Sequence, residues 1–259
     1  MKNIIFFAIA FLIIFRANSQ DLHLRGIAIN YSQTGKISSR LTYNVQISSV
    51  YNTSTLKISE KTFPACHTHF IPHVLLNYKI TDKWNVGGGY AFGRHDIFGL
   101  RENEHRLIAQ TGYNQKIKKI TINNRGRLEL RSPLNLQTNI RSNATIFRYQ
   151  LGLNYPLYDP KKFKKGTVPK GFYALASNEL FLYMKGATNG PVSSRNGLLV
   201  SENWSNIGLG YTTGKNRIEV GYGFQSLVRN KKQDMRYFSL LQLSFSTSIN
   251  WGDIQYWYY

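Results

Sequence analysis

The chain has 259 residues, a single cysteine and a formal net charge of +20 at pH 7. A lone Cys66 excludes an intrachain disulfide, so a secreted chain of this length must be held by a large core or a closed sheet. After the first twenty residues no stretch approaches the roughly 18 apolar residues of a helical span, which excludes a helical membrane protein.

The N-terminus reads MKNIIFFAIAFLIIFRANSQ. Lys2 supplies a positive n-region, 4–15 a continuous apolar stretch, and Ala17-Asn18-Ser19 a small-x-small cleavage site. Residues 1–19 therefore predict a cleaved secretory signal peptide. Gln20 would follow the cut, so no cysteine stands there for lipoprotein acylation. Residues 20–259 show no linker or shift in composition and are expected to form one domain.

Alternating stretches of about ten residues then recur between turn signals. In chain order they fall at 22–33, 40–51, 70–80, 84–94, 104–117, 120–132, 145–155, 172–185, 204–213, 216–230 and 235–250, with a weak twelfth at 254–259. Tight turns at 34–36, 81–83, 118–119 and 214–215 alternate with longer loops at 52–69, 95–103, 133–144 and 186–203. Short turns at one end and long loops at the other are the pattern of a transmembrane barrel. Two joints fit less well, a long one at 159–170 and a short one at 230–234.

One face of these strands is apolar, as in Val74-Leu76-Tyr78-Ile80 and Ile218-Val220-Tyr222-Phe224. The other carries charge. Three features turn the apolar face to lipid. The strands are long enough for the 9–11 residues of a tilted span, aromatics make up 14% of the chain and lie on the apolar faces, and the leader directs export. The fold expected is all-β: an antiparallel up-and-down transmembrane β-barrel of 10–12 strands. Bacterial single-chain barrels have even strand counts, so ten core strands over 40–250 are favoured. Segment 22–33 would pair at the seam, or join 254–259 to make twelve.

Several stretches resemble a known family. They are "RGRLELR" (125–131), "SNELFLY" (177–183) and "NIGLGYTTGKNRIEVGYGFQ" (206–225). Together they are similar to the outer-membrane barrels of domain-of-unknown-function family 2490, common in Bacteroidota. The Asn-Glu-x-Phe step of that family is matched by Asn178, Glu179, Leu180 and Phe181, whereas Asn206 stands where an Arg often precedes the Gly-x-Gly-Tyr strand. The resemblance implies a barrel in the outer membrane of a Gram-negative bacterium. It carries no established catalytic residues.

The charged face gives the candidate site. Arg106, Arg125, Arg127, Arg131, Arg148, Arg217 and Arg229 would share the lumen with Glu129, Glu179 and Glu219. Unpaired charge in a tight interior is costly, so these predict a plug of salt bridges. Since arginine exceeds glutamate, the alternative is a narrow anion-preferring pore. His67, His69 and His73 have even spacing and would share one strand face, a possible zinc or copper site. No Gly-x-Ser-x-Gly elbow or Walker loop occurs, and neither His95 nor His105 has a serine at one strand spacing. The expectation is a non-enzymatic barrel without cofactor, structural or a narrow pore. A lipid hydrolase barrel and a secreted soluble binding barrel are the alternatives. Expected partners are outer-membrane lipid with its anionic lipopolysaccharide, small anionic solutes and, during biogenesis, the barrel-assembly machinery. The basic residues are spread out, apart from Lys161, Lys162, Lys164 and Lys165, so no nucleic-acid partner is expected.

Overall fold

A computed structural model describes residues 22–58, 61–97, 99–159, 170–186, 200–228 and 235–250. The expected signal peptide (1–19), the lysine run, Arg229 and the expected weak strand at 254–259 lie outside these residues.

Eleven long strands close into one barrel: β1 (Leu22–Lys36), β2 (Leu41–Asn52), β5 (Cys66–Lys79), β6 (Trp84–Ile97), β7 (Leu100–Ile117), β8 (Ile120–Asn135), β10 (Ala144–Pro156), β11 (Gly171–Gly186), β12 (Val200–Thr212), β13 (Asn216–Val228) and β14 (Met235–Ser248). Three short strands decorate the loop end. β3 (Leu56–Ile58) and β4 (Lys61–Phe63) form a hairpin, and β9 (Ile140–Arg141) caps β8. Each long strand pairs with its neighbours in sequence, and β8 pairs with β10 across β9.

Among the described residues the ring has eleven strands, within the expected 10–12 and one more than the ten favoured. Segment 22–33 does pair at the seam, as a full strand. β1 lies antiparallel to β2 and parallel to β14, with Ala28 opposite Gln242. All other neighbours in the wall are antiparallel. One parallel joint is what an odd strand count demands of an up-and-down ring, because the first and last strands then run the same way.

The long strands run 12 to 18 residues, and eight of the eleven are longer than the alternation indicated. Much of what reads as loop at 95–103 and 133–144 is ladder. β6 and β7 stay paired as far as Ile97 and Leu100, and β8 runs on to Asn135. The turn-end connections expected to be tight are tight, while the β10–β11 connection is long, as its sequence indicated. Lys118 sits at φ 54°, the left-handed conformation that two-residue hairpin turns require, and Gly214 at φ 101°.

The wall is inside out relative to a soluble protein. Exposed apolar side chains ring it on every long strand: Ile29, Tyr51, Val74, Tyr90, Leu107, Leu130, Leu151, Phe172, Ile207, Val220 and Leu243 are all 38% exposed or more. Water-soluble proteins rarely leave contiguous apolar patches beyond a few hundred Å². Aromatics border this belt above and below. Phe70 and Tyr78, Trp84 and Phe92, Phe147 and Tyr155, and Tyr237 and Phe245 are each eight residues apart on their strands. At about 3.4 Å per residue and a tilt near 40° that is roughly 21 Å of height, close to the belt of a membrane barrel.

Candidate functional site: the barrel interior

Alternation sends every second side chain inward, and the two halves of the interior differ. At the loop end every strand contributes a buried inward residue. The seam side is apolar, with Leu24, Ala28, Val50, Leu227, Phe238 and Leu240 in one cluster. The opposite side, on β6 to β8 and β10 to β12, is charged.

Its centre is Glu129, fully buried on β8. One oxygen accepts from Arg148 Nη1 at 2.6 Å; the other accepts from Arg131 Nε at 2.8 Å and lies 2.7 Å from Arg131 Nη2. Arg127 and Arg106 approach the same carboxylate at 3.6 and 3.9 Å. Arg148 also donates Nη2 to Glu179 at 2.8 Å and lies 4.2 Å over the ring of Phe181. Glu179 takes a further bond from Arg125 at 2.8 Å. Such planar, bidentate guanidinium contacts are what buried carboxylates need to offset lost hydration.

A second chain of contacts runs from Glu104. It accepts from Arg106 Nε at 2.9 Å and from His95 Nε2 at 3.0 Å, and His95 Nδ1 meets His69 Nδ1 at 2.7 Å. The carboxylate requires the proton on His95 Nε2. His95 Nδ1 then accepts, His69 donates from Nδ1, and Nε2 of His69 is left as its unprotonated nitrogen. The two tautomers are thus fixed by one carboxylate.

Below this plug the interior opens. A central cavity of about 320 Å³ reaches from Glu129 and Arg148 to Gln46 and Ser48. It shares Gln46, Arg125 and Arg127 with a wider chamber of about 580 Å³ that Thr34, Asn44, Asn77, Asn114 and Ser248 line at the turn end. Arg127 stands at this junction, donating Nη2 and Nε to Gln110 at 2.9 and 3.2 Å. On the cavity's β11–β13 side, Tyr173 donates to Glu219 at 2.6 Å and Arg217 lies 5.9 Å over the Tyr173 ring.

A family model described as a protein of unknown function, DUF2490, matches residues 28–236, from within β1 to the start of β14. The chain belongs to this family. Among solved structures the DUF2490 chain is similar to LpxR from Salmonella typhimurium, with a TM-score of 0.44 and 7% identity over 80% of this chain and 83% of that one. A search of curated proteins found no match.

In this DUF2490 barrel the lumen residues read from the sequence divide into two groups. Arg106, Arg125, Arg127, Glu129, Arg131, Arg148 and Glu179 form one network, while Glu219 lines the central cavity apart from it, bonded to Tyr173, and Arg217 lies over the Tyr173 ring. The three histidines do not come together. A register shift opposite Val50 and Tyr51 turns exposed His67 outward, where it meets Ser49 Oγ at 2.8 Å, while His69 and His73 point into the cavity. Among the described residues no group of three His, Cys, Asp or Glu side chains is placed to hold a metal ion. Sequence reading missed Glu104, His95, Glu202 and Trp204 as interior groups. For Glu104 a signal existed: it shares parity with Arg106.

Proposed function

We propose that the chain is an integral outer-membrane barrel whose loop-end half is sealed by its own side chains, leaving a polar chamber entered from the turn end. The observation that carries this is the fully buried Glu129, ringed by four arginines, inside a wall whose outer face is apolar. Barrels of eight strands are filled by side chains and those of sixteen conduct; eleven strands leave room that this network occupies. The plug reading is favoured over an anion-selective pore because three of the five arginines in the network lie directly against Glu129 or Glu104 within 3 Å and a fourth against Glu179. If the loop end faces the cell exterior, exposed Arg101 and Arg141 would meet anionic lipopolysaccharide.

The test is twofold. Carbonate-washed membranes should retain the protein, which should run faster on gels before boiling than after it. Planar bilayers holding the folded barrel should show no steady conductance steps. Release by carbonate would remove the membrane reading; regular steps would remove the plug.

A further inference from the structure

We propose that the central cavity is a binding site for a neutral, polyhydroxylated solute of the size of one or two sugar rings. The inference rests on unpartnered polar groups in the cavity wall and on its balance of charge, and would stand in whichever membrane the barrel lies.

Glu202, on β12, is 2% exposed and lines the cavity. Among the described residues neither of its carboxylate oxygens meets a hydrogen-bond donor. It lies in the field of Arg131 and Arg148, yet both guanidiniums are turned to Glu129 and, for Arg148, Glu179. Two residues along, Trp204 presents an indole N–H that is buried and unpartnered, as are His73 Nε2, Arg131 Nη1 and Arg125 Nε. All five residues line the same cavity. A buried polar atom left without a partner is costly, more so when charged.

The set mixes acceptors and donors. An anion would satisfy the donors and repel Glu202. A cation would satisfy Glu202 and meet the arginines. A hydroxyl both donates and accepts, so several on one small frame satisfy both kinds at once. The lining charge agrees, with five arginines against four glutamates, and much of the remaining wall is amide: Asn30, Gln46, Gln150, Asn206, Gln225 and Gln242. The volume, about 320 Å³, falls at the lower end of the roughly 300–1,000 Å³ typical of ligand pockets. Entry is from the turn end, past Gln46, Arg125 and Arg127.

The experiment is calorimetric titration of the folded barrel, in a detergent without a sugar headgroup, with glucose, maltose and sodium phosphate in separate runs. A saturable one-to-one heat is expected from glucose or maltose. Glu202→Gln and Trp204→Phe, which keep the shape and remove the charge or the N–H, should each weaken it about tenfold or more. Ser48→Phe, which fills the cavity from the opposite wall, should abolish it. Gel mobility before boiling checks that each variant is folded. The proposal is overturned if neither sugar binds the wild-type barrel, if binding ignores all three folded variants, or if phosphate alone binds.

Discussion

Arg148 Nη1 lies 2.6 Å from Glu129 Oε1, across the ladder where β10 meets β8. The contact joins two carboxylates through one guanidinium, because the other edge of Arg148 is held by Glu179 of β11. Three adjacent strands are thereby tied on the inside of the wall.

Breaking this tie should be expensive. Removing one partner of a buried ion pair leaves the other uncompensated, at about 3–5 kcal/mol. Glu129→Gln is therefore expected to lower stability by an amount in that range, read from urea titration of the barrel in lipid vesicles. A loss below about 1 kcal/mol would show that the arginines find other partners. The double variant Glu129→Ala with Arg148→Ala removes the centre of the plug and should give conductance in planar bilayers where the wild-type barrel gives none.

The outer wall makes a separate prediction. Leu151 stands four residues from Phe147 and four from Tyr155, at the middle of the apolar belt. Leu151→Arg should cost about 2–4 kcal/mol in vesicles, as expected for arginine at a bilayer midplane. Lys119→Glu, in the β7–β8 turn, should change stability by no more than about 0.5 kcal/mol. Equal effects from the two would argue that the belt is not in lipid.

How much of this was legible beforehand follows from strand period. Alternation at 125–131 places Arg125, Arg127, Glu129 and Arg131 on one face and Leu128 and Leu130 on the other, and the folded wall keeps that division. Three kinds of information were out of reach. Strands that project past the apolar belt lose their outward apolar residues, so the alternation fades; that is why Glu202 and His95 read as loop. Register shifts change parity without any mark in composition. The shift in β5 separates His67 from His69 although their spacing is even. Pairing partners across the seam carry no local signal either, since β1 meets β14 over two hundred residues away.

The divided histidines predict the outcome of a metal titration. With His67 outside the wall and His69 bonded to His95, the folded barrel should take up no stoichiometric zinc. A one-to-one zinc isotherm lost in His67→Ala with His69→Ala would reverse this.

The seam can be trapped directly. In a Cys66→Ser background, Ala28→Cys with Gln242→Cys should form a disulfide, because the two residues are parallel register partners. Oxidised, unboiled barrels would then resist dissociation of β1 from β14 and migrate differently from reduced ones. Failure to cross-link, with instead an efficient bond between cysteines placed on β2 and β14, would mean a ten-stranded closure.

That alternative closure is why the parallel seam has a bearing on how the molecule is made. β2 and β14 run in opposite senses, so the strands from β2 onward hold the makings of an ordinary even-numbered ring without β1. The eleventh strand is a stave slipped in at the joint after the hoop could already have closed. It widens the circumference by one strand, and it brings Leu24 and Ala28 to pack on Phe238 and Leu240. β1 therefore finds one of its two neighbours only once β14, more than two hundred residues further along, has been delivered, and the strand that sets the ring's final width waits for the strand that closes it.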